Sequence, residues 1–343
     1  MRLLLLFTVA CGAARPATPD PLAADLDQLV ARSSFSGALL VGHGEQLRYR
    51  RSTNPSIAPS ARWRWASVTK QMTAILVMQE VARGTIDLQA PIATYLPTFA
   101  SANATATIEQ LLHHQAGLPN PDDGGDGVPA AYRPETAIDP LASCAGAVTG
   151  PPGGRWTYNN CDYVVAGAVL EAVTGKPWSR LFEERIAAPL GIAAKLDRSA
   201  DVVGYIGGTR EPAYAYERFG AAGALVGTVT ELWTIDRALL EGRLLDDKHR
   251  AMLWDGKPDL GFMALGQWVY EVPLRGCAKP VRLVERRGAI GGIGVRNFLV
   301  PAHDLVVIAM TDRAELEFGE LWSGAGFAFE LLSIAVCTKS PHS

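Results

Sequence analysis

The chain has 343 residues, 48% of them hydrophobic, enough for one large domain or two modest ones with a substantial core. Its 32 basic and 35 acidic side chains leave a net charge of -3, which removes the electrostatic basis for binding a phosphate backbone. Gly and Pro usage is ordinary, and no uncharged run approaches the roughly 18 apolar residues of a membrane span, so collagen-like and membrane-spanning classes are excluded.

The amino terminus reads as an export signal: Arg2, then the apolar stretch Leu3 to Ala10, then Cys11-Gly12. Thr8-Val9-Ala10-Cys11 looks like a bacterial lipobox, with Thr8 where Leu is usual, which makes Cys11 a site of lipid attachment. An ordinary secretory signal is the other reading. On the first reading residues 1–10 are a signal peptide and residues 11–21, rich in Ala and Pro, tether the domain to a membrane.

Pro21 to Ala31 has helical periodicity, with Leu22, Leu26 and Leu29 on one stripe. Ser36 to Val41 and Gln46 to Arg50 alternate around Gly42-His43-Gly44 and predict a hairpin. Arg62 to Trp65 alternates again and leads into a helix that runs to Arg83 and stops at Gly84. From there to about residue 259 the pattern is helices and long loops, including Ile108 to His114, Asp162 to Val173 and Thr230 to Leu240. Strand patterns return at Met263 to Val272, Val281 to Ala289, Val295 to Val300 and Leu305 to Met310. A last helix is predicted from about Gly319 to Val336. Strands at both ends with helices between predict one antiparallel sheet drawn from residues 22–66 and 260–338, with a helical region over 67–259, in a single domain 22–338.

Beyond Cys11 the cysteines are Cys144, Cys161, Cys277 and Cys337. An exported chain meets oxidising conditions, so two disulfides in any of three pairings compete with buried free thiols. Cys144 with Cys161 and Cys277 with Cys337 are favoured, because each pair flanks turn-rich sequence. No Cys/His cluster has metal-ligand spacing. The acidic run Asp122 to Gly127 lacks the alternation of a calcium loop and reads as a flexible surface loop.

Ser67-x-x-Lys70 places an amine one helical turn from a hydroxyl at a helix start. A lysine on a dry helix, near the positive end of the helix dipole, is expected to be a neutral amine able to take the serine proton. Tyr158-Asn159-Asn160 adds a phenol to relay protons and an amide to hold the lysine. Either motif alone is explained by a capped helix.

Together with Leu111-Leu112-His113-His114-Gln115-Ala116-Gly117-Leu118-Pro119, in this order, they resemble the β-lactamase-like serine hydrolases. That superfamily includes class C β-lactamases, penicillin-binding DD-peptidases and family VIII esterases. The resemblance implies an α/β (α+β) fold with an antiparallel sheet flanked by helices, an all-helical subdomain, and the site in the cleft between them. It also implies Ser67 as nucleophile, Lys70 as proton acceptor, Tyr158 as second base, Asn160 as a contact to Lys70 and substrate, and His114 as structural. No metal or cofactor is called for, since the chain supplies nucleophile, base and donors.

The third motif departs from the family pattern. Aligned on the glycines of Arg286-Arg287-Gly288-Ala289-Ile290-Gly291-Gly292, the basic position falls on Ala289 or Gly288, neither of which binds a carboxylate. Arg287, two residues before Ala289 and on the same strand face, is a candidate substitute, and Gly292, or Gly291 beside it, the expected oxyanion donor with Ser67. The absent cation favours an esterase-like acyl hydrolase on small ester, amide or lactam substrates, periplasmic or surface-anchored. A β-lactamase or DD-peptidase using Arg287, and a silent binding lipoprotein of the same fold, are the alternatives.

Overall fold

Central strands buried on both faces organise the protein around one sheet. The computed structural model describes residues 20–121 and 128–337. The signal segment, Cys11, the tether up to residue 19 and the loop Asp122 to Gly127 lie outside the described residues.

In chain order the strands are β1 (Gly37–His43), β2 (Gln46–Ser52), β3 (Trp63–Arg64), β4 (Lys195–Leu196), β5 (Tyr205–Ile206), β6 (Thr209–Arg210), β7 (Leu225–Gly227), β8 (Trp268–Val272), β9 (Val281–Ile290), β10 (Ile293–Val300) and β11 (Leu305–Thr311). Six of them form an antiparallel sheet in the order β2-β1-β11-β10-β9-β8, so the two ends of the chain meet where β1 pairs with β11. The longer helices are α1 (Pro21–Arg32), α2 (Thr69–Arg83), α3 (Asn160–Thr174), α4 (Val229–Leu240) and α5 (Phe327–Cys337).

All of β11, Leu-Val-Val-Ile-Ala-Met-Thr, is buried, as a central strand covered on both faces requires. Leu39, Val41, Phe298 and Val307 share one core with Leu26 and Leu29 of α1 and Leu331 of α5. Leu40, Val306 and Ile308 share the other with Met72 of α2 and Ile235 of α4. The helix ends are chemically marked. Asp20 accepts the Leu22 N–H at 3.1 Å ahead of Pro21, α2 closes on Gly84 at φ 73, and Thr228 and Glu231 form a capping box on α4.

The fold differs from the sequence reading in three places. The strand predicted from Met263 begins only at Trp268, because Phe262 and Gly266 turn the chain with φ 65 and φ 77. The last helix begins at Phe327 rather than Gly319, because Gly319, Gly324 and Gly326 all adopt positive φ. The middle of the chain also holds a small sheet, β3-β7-β4, and the hairpin β5-β6. Cys144 pairs with Cys161 and Cys277 with Cys337, at Cα separations of 5.3 and 5.0 Å. Among the described residues no helix is long and apolar enough to cross a membrane.

A buried carboxyl joins α2, α4 and β10. Gln71 Nε2 donates to Asp236 Oδ1 at 2.5 Å, and Asn297 Nδ2 donates to Gln71 Oε1 at 3.1 Å. Asp236 Oδ2 and Asn297 Oδ1 have no donor among the described residues. Burial pushes the Asp236 carboxyl up to about 7. An acid raised in the folded state keeps a proton that the unfolded chain releases near pH 4, so its contribution is full below that pH and is lost as pH rises through 7. Asp236→Asn, which keeps the shape without the titration, is expected to flatten the stability profile by roughly 2–3 kcal/mol between pH 5 and 8. Urea unfolding of both proteins across that range checks it, and parallel profiles would refute it.

Candidate active site

Between β3 and α2 the chain turns sharply. Trp65 is fixed by its backbone N–H to the Leu225 carbonyl at 2.9 Å and by its indole N–H to the Gly227 carbonyl at 3.1 Å. Ala66 then takes φ 47, a left-handed conformation worth about 1–3 kcal/mol of strain for a residue with a side chain. The short 3-10 turn Ala66–Val68 follows, carrying Ser67 into the cleft just ahead of α2.

Lys70 is fully buried one turn further on. Its Nζ donates to Ser67 Oγ at 3.1 Å, to Asn160 Oδ1 at 2.6 Å and to the Ala222 carbonyl at 2.8 Å. Asn160 and a backbone carbonyl replace the water that burial removes from the lysine.

The Tyr158 hydroxyl lies 2.5 Å from Ser67 Oγ. Its loop is held by Asn159, whose side chain accepts the Cys161 N–H at 2.8 Å to cap α3 and donates to the Leu118 carbonyl at 2.7 Å. The structure thus brings Ser67, Lys70, Tyr158 and Asn160 within hydrogen-bond reach of one another. His114, at φ 60, packs its ring 4.8 Å from that of Tyr158, with Nδ1 3.0 Å from Asp162 Oδ2. Burial, followed by the charges of Arg286 and Lys70, holds this imidazole well below its ordinary value, so it is neutral.

Sequence reasoning missed Arg286. The side chain is fully buried, its Nε donates to the Ser67 carbonyl at 2.9 Å and its Nη2 to the Tyr158 hydroxyl at 3.4 Å. The guanidinium stands 5.6 Å from the centre of the Tyr158 ring and 5.2 Å from that of Trp268. Burial pushes the Tyr158 phenol up, but the charges of Lys70 and Arg286, with hydrogen bonds from Lys70 and Ser67, outweigh it and hold the phenol below its ordinary value. The signal for Arg286 was available: Arg286-x-Gly288 is itself a basic-x-Gly triplet. Gly288 is required by contact, since a Cβ there would stand 2.4 Å from the Trp65 carbonyl.

Two other expectations from this strand are corrected. Arg287 does not fill the missing basic position: its Nε donates to Glu285 Oε1 at 2.7 Å and its two terminal nitrogens to Glu320 at 2.8 Å each, away from the phenol. Gly292 does not offer a free N–H, because it donates to Glu211 Oε2 at 3.0 Å. Gly291 does line the cleft. An open donor on β9 beside the cleft is Ala289. β8 covers β9 only as far as the pair Trp268–Glu285, leaving the outer edge bare beyond it. Ile290 and Ile293 close the two-residue turn of the β9–β10 hairpin and bond to each other, so the N–H of the preceding Ala289 points outward. The Ser67 N–H, in the first turn of its helix, has no partner within that helix.

The cleft has a volume of about 280 Å³ and is walled by Pro129, Tyr214, Phe219, Ala289 and Ile290 around Ser67, Tyr158 and Asn160. No Asp, Glu, Lys or Arg is among these described residues. Nor, among the described residues, does any group of three His, Cys, Asp or Glu stand where it would hold a metal ion.

Comparison with known proteins identifies relatives of the chain. The chain is 31% identical over 221 residues to D-alanyl-D-alanine-carboxypeptidase/endopeptidase AmpH of Escherichia coli, covering 56% of each chain. It is 32% identical over 226 residues to esterase EstB of Burkholderia gladioli, covering 56% of this chain and 55% of that one. The chain spans about half the length of these curated relatives. The crystal structure of a D-stereospecific amidohydrolase from Streptomyces superposes with a TM-score of 0.72 at 23% identity, over 92% of this chain and 99% of that one, which establishes the shared fold. Residues 22–323 match the family described as Beta-lactamase, and the chain belongs to that family of serine hydrolases.

Proposed function

We propose that this protein is an exported serine acyl hydrolase that cleaves neutral esters or amides through an acyl-enzyme on Ser67. The observation that carries the reading is the contact of Ser67 Oγ with the Tyr158 hydroxyl at 2.5 Å, beside two buried cations. Tyr158 is the proton acceptor, and the neighbouring Lys70 and Arg286 ease its phenol toward the ionised form. Ser67 Oγ gives its proton to Tyr158 and bonds to the substrate carbonyl carbon, and the oxyanion is met by the N–H groups of Ser67 and Ala289. Tyr158 then returns the proton to the departing oxygen or nitrogen as that bond breaks. Water repeats the sequence on the acyl-enzyme and frees Ser67.

The charge-free cleft wall supports neutral substrates. Arg286 is the cation nearest the phenol on β9, but it is fully buried and turned to the Ser67 carbonyl, so an acidic substrate meets no exposed cation. A hydrogen bond to a charged group is worth about 1.5–3 kcal/mol, so this disfavours penicillins and peptidoglycan peptides by roughly ten- to hundredfold. Export, with lipid attachment at Cys11, is supported by the amino-terminal pattern and by the two disulfides.

Labelling tests the reading. A fluorophosphonate is expected to modify the wild type at Ser67 and to leave Ser67→Ala unmodified, with a fluorescent penicillin labelling far more slowly. Equal labelling by both would favour β-lactam recognition. A folded wild type that takes neither would leave only a silent binder.

A further inference from the structure

Glu211, just after β6, is a buried carboxylate outside the catalytic group, 8% exposed. Its Oε1 accepts the Gly204 N–H at 3.1 Å and the guanidinium of Arg64, and its Oε2 accepts the Gly292 N–H at 3.0 Å. Arg64 is three residues ahead of Ser67. Gly292 is three residues beyond Ala289. One carboxylate therefore ties the strand that delivers the nucleophile to the turn that ends β9. The packing around it is tight: a Cβ on Gly291 would meet Glu211 Oε2 at 2.1 Å, and one on Gly204 would meet the same oxygen at 2.5 Å. A Cβ on Gly292 would meet the Tyr205 nitrogen at 2.1 Å. Arg64 is itself pinned, with its guanidinium 3.7 Å over the Tyr216 ring.

We propose that Glu211 is a positioning residue that sets the spacing of the two oxyanion donors, Ser67 N–H and Ala289 N–H, by clamping Arg64 to the β9–β10 turn. The proposal rests on the reading of Ser67 as nucleophile. Glu211 packs behind the lining residue Gly291 without lining the cavity itself, and it makes no hydrogen bond to Ser67, Lys70 or Tyr158, so its effect is on oxyanion stabilisation and not on proton transfer. A glutamine keeps one acceptor oxygen but turns an NH2 group toward either the Gly292 N–H or the Arg64–Gly204 pair, and no rotamer satisfies both.

The test uses the full chain, a neutral p-nitrophenyl ester and an alkyl boronic acid, which forms a neutral-derived tetrahedral adduct on a reactive serine. Glu211→Gln is expected to lose roughly ten- to hundredfold in kcat/KM, with boronate affinity weakened by the same factor. The pH profile, governed by Tyr158, is expected to stay in place. Arg64→Lys, which keeps the charge and loses the fork, should move both quantities together by a smaller factor, and it decides the matter if Glu211→Gln fails to fold. Wild-type kcat/KM in the variants, a loss without weakened boronate binding, or a displaced pH profile would overturn the proposal while leaving the hydrolase reading intact. A wild type inert to the ester and unlabelled by fluorophosphonate removes that reading, and this proposal with it.

Discussion

Tyr158→Phe is expected to lower kcat/KM toward a neutral ester by about 10²–10⁴-fold while the protein stays folded. The substitution deletes one oxygen and keeps the ring that packs 4.8 Å from His114. Lys70 retains Asn160 and the Ala222 carbonyl, and Arg286 retains the Ser67 carbonyl, so the buried cations stay solvated by the protein. The hydroxyl contributes ordinary hydrogen bonds to stability, so unfolding free energy should change by no more than about 1.5 kcal/mol. What disappears is the acceptor 2.5 Å from Ser67 Oγ. Steady-state kinetics with thermal unfolding separates the two effects. A variant within threefold of wild type would mean that Lys70 takes the proton directly.

Arg286→Gln is the second large effect, and its signature is a pH shift. Lys70 and Arg286 together hold the Tyr158 phenol below its ordinary value against the upward push of burial. Removing one charge raises the phenol, so the phenolate fraction at neutral pH falls and the rising limb of kcat/KM moves to higher pH. The expected loss at pH 7 is roughly ten- to hundredfold, shrinking as pH increases. Glutamine keeps a donor for the Ser67 carbonyl, so β9 stays seated against the nucleophile turn. A loss of the same size at every pH would show that Arg286 acts through packing alone.

Local chemistry was legible in the sequence where it depends on local spacing. Ser67 and Lys70 are three apart on a helix that must be buried because nearly all of its circumference is apolar, and Gly84 marks its end. Asn159 and Asn160 open an apolar helix, and the lipophilic runs from Leu305 and Val295 show a sheet covered on both faces. The charges at the site were less legible. The Ala222 carbonyl that accepts from Lys70 lies 152 residues away and has no sequence signature. Arg286 escapes a reading that aligns the glycines after it to a turn, because Gly288 is there to let β9 approach the Trp65 carbonyl. Arg287 is the more exposed of the pair, and strand alternation sends the two arginines to opposite faces. Glu211 lies beside a two-residue strand with no periodicity, and only the fold brings it to Gly292.

The central claim is that Ser67 faces a phenol whose ionisation is favoured by Lys70 and Arg286 beside it. Near-ultraviolet titration of the wild type minus Tyr158→Phe isolates that one phenol. The expected result is a single tyrosine ionising below the ordinary phenol range, moving upward when Arg286 is replaced by Gln. A difference spectrum that ionises with or above the other tyrosines, and is indifferent to Arg286, would contradict it.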